Sequence, residues 1–309
     1  MDCASSWKER YDLAIKALLD RSLFPTRAQA YPEPRRLTMV EIGGESASRE
    51  ADILHGLAAI ESNHGVRILY GCESGSRAWG FASRDSDWDV RFLYVHPPAW
   101  YVAVAERRDV IELPIEADLD ISGWELRKAL RLLRKGNPAI QEWLHSPIVY
   151  RSTPGFLEHV RTLAGDAYAP SAALYHYLHM ARGNHREYLH GQEVRLKKYL
   201  YVLRPVLACL WIERGLGQPP VAFAELMEAL IPEGALRVAI LGLLERKASG
   251  DELDRGSAIP ELDDFLTREL VRLQAGIAIP PAPGIDVARL DALLWDCVMP
   301  GSALVDRPR

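Results

Sequence analysis

Two aspartates separated by a single residue are the first candidates for chemistry in this chain. Asp87 and Asp89 lie on either side of Trp88, at the start of the apolar run WDVRFLYV. If this run is a β-strand, both carboxylates point to the same side of it and Trp88 points to the other. Two carboxylates on one side repel each other unless a cation lies between them. Their oxygens are hard donors that suit Mg²⁺ bound jointly with phosphates, so the pair predicts a metal and phosphate site.

A glycine–serine turn precedes the carboxylates. Gly75 follows the apolar segment VRILYGC and allows the backbone to come close to a ligand. Ser76 offers a backbone N–H and a hydroxyl to a phosphate oxygen. A purely local interpretation also exists, because residues 85–87 are common turn formers ahead of a strand. The complete order of strand, Gly-Ser, short loop, Asp-x-Asp and second strand is rarer, and it favours a site for a metal and a triphosphate.

The same stretch resembles a known group of enzymes. GSRAWGFASRDSDWDVRF is similar to the Gly-Ser…Asp-x-Asp element of the DNA polymerase β-like nucleotidyltransferase superfamily, and its flanking residues resemble a branch of minimal nucleotidyltransferases associated with RNA repair. The resemblance implies an α+β fold, in which a small mixed sheet with flanking helices is followed by an α-helical domain. It also implies that Gly75, Ser76 and Arg77 bind the nucleotide.

This chemistry requires a third carboxylate. Two metal ions need more ligands than one Asp pair supplies, and the attacking hydroxyl needs a proton acceptor. In the resembled family the third aspartate lies just before the apolar residue that leads to a Gly-Trp helix start, and that position is Asp120 here. Asp118 faces the same side of a strand and stays the alternative. The resemblance therefore implies that Asp87, Asp89 and Asp120 are both the catalytic residues and the metal ligands.

A second block, KKYLYVLRP, also resembles the family. In related nucleotidyltransferases a helix of the second domain brings a lysine to the nucleotide's phosphates. The resemblance gives this role to Lys198, with Lys197 as the alternative. Tyr199 or Tyr201 could stack on a base. At helical spacing among apolar neighbours, tyrosines are also typical of a protein core, and this interpretation is favoured for both.

The chain divides into three predicted regions. Residues 1–48 are expected to form a helical extension and a proline-rich linker. Residues 49–150 are expected to form the catalytic domain, in which Ser122 and Glu125 have the spacing of a capping box at a helix start. Residues 151–309 carry apolar residues at the helical period and predict a helical domain.

Composition limits the classes of function. The 309 residues are 48% hydrophobic and 26% charged, as is typical of a soluble globular protein. No apolar run is long enough to span a bilayer and the N-terminus does not resemble a secretory signal, so we expect a cytoplasmic protein with no membrane partner. The net charge of −5 excludes a generally basic surface. Any RNA contact must use a local basic face such as Arg127, Arg131 and Arg134, although such faces are more often only solvated.

Together these features predict a Mg²⁺-dependent nucleotidyltransferase. It would transfer a nucleoside monophosphate from a nucleoside triphosphate to an acceptor hydroxyl and release pyrophosphate, using two Mg²⁺ ions for which Mn²⁺ could substitute. The resemblance implies an RNA end as the acceptor, in RNA repair or processing. Transfer to a protein or small-molecule hydroxyl is the alternative, and a non-catalytic nucleotide-binding regulator is the third. The sequence leaves base preference and oligomeric state open.

Overall fold

A five-stranded mixed sheet carries the residues that the sequence singles out. In the computed structural model its strands are β1 Arg67–Glu73, β2 Trp88–Val95, β3 Val110–Glu112, β4 Leu119–Glu125 and β5 Val149–Ser152. Their order across the sheet is β3-β4-β2-β1-β5. Strands β2 and β4 are parallel, and the other neighbouring pairs are antiparallel. The α+β fold class predicted from the sequence is confirmed.

The structure describes residues 44–116, 118–191, 193–249, 255–277, 279 and 284–299. All of them belong to one contact unit that spans residues 36–309. Most of the predicted extension over residues 1–48 therefore lies outside the described residues. The predicted domain boundary near residue 150 stays a prediction.

Twelve helices accompany the sheet within the described ranges, together with one two-stranded ribbon. Those around the sheet are α1 Gly44–His64, α2 Gly75–Ala78, α3 Pro98–Tyr101, α4 Leu126–Arg134, α5 Pro138–Leu144 and α6 Phe156–Asp166. The C-terminal half adds α7 Pro170–Tyr188, α8 Lys197–Glu213, α9 Phe223–Leu230, α10 Ala235–Ala248, α11 Pro260–Gln274 and α12 Val287–Val298, with the ribbon strands β6 Glu193–Val194 and β7 Gly256–Ser257. No described helix has both the length and the apolar character that a membrane crossing requires.

Each face of the sheet is covered by helices, because alternate residues of the central strands are apolar on both sides. Ile53 and Leu57 of α1 belong to a buried cluster with Val90 and Phe92 of β2. The alternating residue Leu93 belongs to a second cluster, which includes apolar residues of α4, α5, α6 and α12. Burial holds the middle and end of β2 in place, and at its start the backbone is fixed by pairing with β4 and by the Ser74 N–H.

A third apolar core lies in the helical half and is centred on α8, which is buried along most of its length. Tyr199 is fully buried there and donates a hydrogen bond to the Asp263 carboxylate at 2.7 Å. The core interpretation of this tyrosine is therefore correct. Phe81, which follows the glycine–serine turn, is part of the same core. The helical half thus packs directly against the segment that leads to the aspartates.

The predicted capping box at Ser122 is wrong. Ser122 lies inside β4, where it pairs with Glu112 of β3 and Arg91 of β2. Hydrogen bonding on both sides of β4 keeps the chain extended up to Glu125, and α4 begins only at Leu126. The Glu125 carboxylate is itself the helix cap and accepts the backbone N–H of Lys128 at 3.2 Å.

Candidate active site

Asp89 and Asp120 are neighbours across the parallel strands β2 and β4. The two residues are paired in register, and paired residues on adjacent strands project to the same face about 5 Å apart. Their side chains are 28% and 30% exposed, so both are partly accessible to solvent. Asp87 lies just before β2 and is exposed. The structure therefore brings two predicted carboxylates together on one face, with the third exposed just before the strand.

The glycine–serine turn lies directly over Asp89. Gly75 has a φ of +59°, and a Cβ atom at this position would lie 2.0 Å from Asp89 Oδ2. Only glycine fits, because a side chain would be strained by the backbone and would also collide with the carboxylate. The Ser74 N–H donates to the Asp89 carbonyl oxygen at 2.8 Å, which fixes the turn to the strand.

Tyr201 connects this turn to the helical half. Its ring centre lies 5.7 Å from that of Trp79 and 5.9 Å from that of Phe81, both in the segment that follows Gly75, and Ser76 is buried. Burial raises the pKa of Tyr201, and the Asp89 carboxylate adds to the rise. The Lys198 ammonium lies 4.8 Å from the centre of the Tyr201 ring and 4.3 Å from that of Tyr188. Tyr201 and Lys198 of the predicted block therefore belong to the site.

Lys198 is half-buried, whereas the adjacent Lys197 is exposed. Burial lowers the pKa of Lys198, and the charges of Lys197 and Arg195 lower it further. The two lysines and Arg195 thus form a concentration of positive charge in a protein that is acidic overall. A charge of this kind attracts anions such as phosphates.

Arg77 contacts the loop that carries Asp87. Its guanidinium donates to the carbonyl oxygens of Ser86 at 2.6 Å and Asp87 at 3.2 Å, and it stacks on the Trp88 ring at 3.8 Å. These contacts use two of its five N–H donors and one face of the guanidinium. In this structure Arg77, which the sequence predicts to bind nucleotide, holds the loop in place beside the turn.

Arg91 was not foreseen from the sequence. It lies two residues beyond Asp89 and therefore projects to the same face of β2. Its Nη2 atom is 3.3 Å from Asp89 Oδ1 and 2.8 Å from Asp120 Oδ2, so the guanidinium bridges the two carboxylates. Burial raises the pKa of Asp89, and the carboxylates of Asp120 and Asp87 add to the rise, while Arg91 opposes it.

Glu73 is a second residue that sequence reasoning missed. It is fully buried at the end of β1, where Oε1 accepts the Asp89 N–H at 2.8 Å and Oε2 accepts the Tyr150 hydroxyl at 2.5 Å. Burial raises the pKa of Glu73 to about 7. Glu73 and the adjacent Ser74 N–H thus hold the backbone of Asp89 together, at its N–H and at its carbonyl oxygen.

Lys247 of α10 is the third residue that sequence reasoning missed. It is only 7% exposed, and its ammonium lies 3.5 Å from Ser86 Oγ in the loop before Asp87. Among the residues that the structure describes it has no carboxylate partner. Burial, together with the charges of Lys197 and Arg77, lowers the pKa of Lys247 to about 8. A residue of the helical half therefore packs against the loop that carries the first aspartate.

A buried ion pair holds the two halves of the site together. The Glu142 carboxylate of α5 accepts three hydrogen bonds. The donors are the Arg204 guanidinium of α8 at 2.8 Å, the Tyr177 hydroxyl at 2.7 Å and the Trp79 indole N–H at 3.1 Å. The Arg204 guanidinium also lies 4.6 Å from the Trp79 ring centre and donates to the Val221 carbonyl oxygen. Burial alone would raise the pKa of Glu142, but Arg204 and the hydrogen bonds hold it below its usual value.

Two other predicted features lie away from the paired carboxylates. Asp118, the alternative third aspartate, forms an ion pair with Arg49 of α1. Arg127 of the predicted basic face lies 5.2 Å from the rings of Trp100 and Tyr101, beyond the end of β2 opposite Asp89. The structure therefore favours Asp120 over Asp118 as the partner of Asp89.

The donor set fits a hard divalent cation. Within the described ranges, no three or more His, Cys, Asp or Glu side chains are grouped so as to hold a metal ion. Mg²⁺, however, is usually bound by one or two carboxylates together with substrate phosphates. Asp89 and Asp120 already share one positive charge, that of Arg91, which marks the position between them as favourable for a cation.

Paired carboxylates at the start of parallel strands, beside a glycine–serine turn, define a nucleotidyltransferase-like site. The comparison with known families agrees with this class. The chain belongs to the RNA repair pathway DNA polymerase beta family (RlaP), which it matches over residues 50–296. The resemblance noted from the motifs is confirmed.

Two individual proteins are similar to this chain to different degrees. The protein YcgL of Bacillus subtilis (strain 168) is 51% identical over 221 residues, which cover 72% of this chain and 85% of YcgL. A solved nucleotidyltransferase-like protein from Exiguobacterium sibiricum 255-15 is 11% identical, with 70% of this chain and 75% of that chain covered and a TM-score of 0.26. A likeness at that TM-score adds nothing to the assignment, which rests on the family match and on the sheet.

Proposed function

We propose that the protein is a Mg²⁺-dependent nucleotidyltransferase that transfers a nucleoside monophosphate from a nucleoside triphosphate to the hydroxyl of an RNA end. The observation that carries the proposal is the register pairing of Asp89 with Asp120 under the Gly75 turn. This arrangement supports the proposal because two carboxylates lie beside a turn whose backbone a phosphate could approach closely. A cytoplasmic location, where triphosphates and RNA ends occur together, is proposed with it.

Asp87, Asp89 and Asp120 are the residues that would hold Mg²⁺, for which Mn²⁺ would substitute. When bound, the metal supplies charge stabilisation to the attacking and leaving oxygens of an in-line displacement. Asp120 would in addition orient the acceptor hydroxyl and accept its proton as the oxygen attacks the α-phosphorus. Pyrophosphate is then the leaving group.

The turn and the lysines would bind the triphosphate. Backbone N–H groups at Gly75 and Ser76 suit phosphate oxygens, and glycine permits their close approach. Lys198, with Lys197 beside it, would offset the negative charge that develops on the leaving pyrophosphate. The edge-on packing of Tyr201 against Trp79 and Phe81 would keep the helix that carries these lysines next to the turn.

The proposed RNA acceptor rests on two observations. One is the family, whose description places it in RNA repair. The other is a row of alternating cations and tyrosines that leads away from Ser76: Tyr201, Lys198, Tyr188 and then Arg195, whose guanidinium lies 5.6 Å from the Tyr188 ring. Aromatic rings beside cations are suited to the bases and phosphates of a single strand.

The proposal is tested by transfer of α-phosphate label. The protein is incubated with Mg²⁺, each α-labelled triphosphate and total RNA, and in parallel with total protein extract. Asp89→Asn is compared with Asp52→Asn, which removes one acidic charge from an exposed position on α1. Label on RNA in the wild type and in Asp52→Asn, but not in Asp89→Asn, is the expected result.

Two other outcomes would replace the proposal. Label only on protein would make a protein hydroxyl the acceptor. Triphosphate binding without label on either extract would favour a nucleotide-binding regulator. Tyr188→Ala addresses the RNA part separately: we expect it to weaken binding of a single-stranded RNA oligonucleotide several-fold, since a stacked base contributes about 1–3 kcal/mol.

A further inference from the structure

Arg91 occupies the position between the two paired carboxylates. Besides its contacts with Asp89 Oδ1 and Asp120 Oδ2, its Nη1 atom donates to the carbonyl oxygens of Val90 at 3.0 Å and Asp120 at 3.1 Å. The side chain is 17% exposed. Four contacts at one cation fix it firmly, and they leave little room for a second positive charge between the same oxygens.

The strand pairing requires this position to be cationic. Asp89 and Asp120 are held side by side by the β2–β4 ladder. The two strands cannot separate, because β2 is packed between apolar clusters on both of its faces. Two carboxylates in this relation repel each other strongly unless a cation lies between them. Arg91, on the same face two residues further along, is the group within the protein that supplies the charge.

We propose that Arg91 is a resident counter-ion that competes with the divalent metal and makes metal binding depend on the nucleotide. The proposal rests on the metal site proposed above. Metal alone must displace the guanidinium from both carboxylates, which weakens its binding. A bound triphosphate offers the guanidinium a new anionic partner, because arginine binds phosphate oxygens in a bidentate manner.

This exchange links the two ligands. If the triphosphate draws Arg91 away from Asp89 and Asp120, it strengthens metal binding, and by linkage the metal strengthens triphosphate binding by the same factor. The site would then load fully only when both are present. Arg91 is a positioning residue in this scheme, since it acts on the carboxylates that hold the metal.

The test measures Mn²⁺ binding by calorimetry, first to the protein alone and then with an α,β-methylene triphosphate analogue that cannot be turned over. Arg91→Gln is compared with Arg108→Gln, a matched control that removes one positive charge from an exposed ion pair with Glu112. We expect Arg91→Gln to bind Mn²⁺ alone about ten-fold more tightly than the wild type, as the loss of a nearby like charge requires. The control should bind as the wild type does.

The analogue should tighten Mn²⁺ binding much more in the wild type than in Arg91→Gln. A second readout follows thermal unfolding: without metal, Arg91→Gln should melt below the wild type because its carboxylates repel each other, and Mn²⁺ should raise its melting temperature by more. Mn²⁺ binding that is unchanged, weaker or undetectable in Arg91→Gln would overturn the proposal.

The failure of the proposed function would look different. Neither readout involves turnover, so a protein that transfers nothing can still give the expected result for Arg91. If Mn²⁺ binds equally well to Asp89→Asn, the metal lies elsewhere and the proposed site itself is wrong. If Asp89→Asn abolishes binding while Arg91→Gln leaves it unchanged, the site is correct and the role of Arg91 is refuted.

Discussion

The contact between Gly75 and Asp89 gives the sharpest test of the site. Gly75→Ala places a Cβ 2.0 Å from Asp89 Oδ2, and an ordinary contact needs about 3.4 Å. The turn or the carboxylate must therefore move by more than 1 Å. A displacement of this size at a reacting centre lowers rates by about 10²-fold, so we expect transfer to fall by about this factor.

The variant also strains the backbone, and this effect must be separated from the collision. A residue other than glycine in the left-handed conformation costs roughly 1–2 kcal/mol. Gly80 provides the control: its φ is +83°, and a Cβ there meets nothing within 4 Å. Gly80→Ala should thus lose only the part of the free energy of unfolding that backbone strain costs, with almost no loss of transfer.

The assay is single-turnover transfer under saturating Mg²⁺ and triphosphate, with urea unfolding of both variants beside it. Transfer by Gly75→Ala within about three-fold of the wild type would refute the reasoning, because the close approach would then not set the position of Asp89. An equal loss in Gly80→Ala would also refute it, since backbone strain alone would then explain the effect.

Three further perturbations test the remaining parts of the structure. Asp120→Asn should lower transfer by at least about 10²-fold, whereas Asp118→Asn should leave the rate within a few-fold; equal losses in this assay would reopen the choice between them. Arg204→Met should reduce the free energy of urea unfolding by about 3–5 kcal/mol, because Glu142 is left buried without its cation, and a neutral residue at Glu142 should recover part of the loss. Burial lowers the pKa of His145 to about 4, so the unfolded chain binds more protons below pH 6.5 and stability is lost as the pH falls from there toward 4. His145→Gln should reduce the difference in free energy of unfolding between pH 7 and pH 4.5 by on the order of 2 kcal/mol, as measured by urea unfolding at both pH values. An unchanged difference would contradict the lowered pKa of His145.

The sequence predicted the parts of the site that depend on local spacing. A glycine before a serine suffices to indicate a close backbone approach, which the structure has at Gly75. The same-side placement of Asp87 and Asp89 stays a prediction, because β2 begins only at Trp88. Asp120 needed more, because its pairing with Asp89 depends on which strands are neighbours and in what register. The family resemblance supplied that information. The block that carries Lys198 was placed near the site for the same reason.

Most of the residues that were missed act through contacts distant in sequence. Glu142 meets Trp79 and Arg204, which are 63 and 62 residues away, and Lys247 meets Ser86, which is 161 residues away. No local pattern marks such partners. Arg91 is the exception, because strand alternation already places it on the face of Asp89. Its charge next to an Asp-x-Asp pair was the signal that could have identified it.

These long-range contacts explain why the site needs both halves of the chain. The Trp79 N–H bonds the Gly75 carbonyl oxygen at 3.0 Å, and its indole bonds Glu142, while its own carbonyl oxygen accepts the Phe223 N–H of α9 at 2.9 Å. The turn over Asp89 is therefore fixed by the sheet on one side and by the helical half on the other. Because Gly75 has no side chain to hold it, its position depends on these neighbours, so we expect a change at Glu142 or Arg204 to alter the turn through Trp79. The helical half is thus part of the geometry that positions the glycine–serine turn.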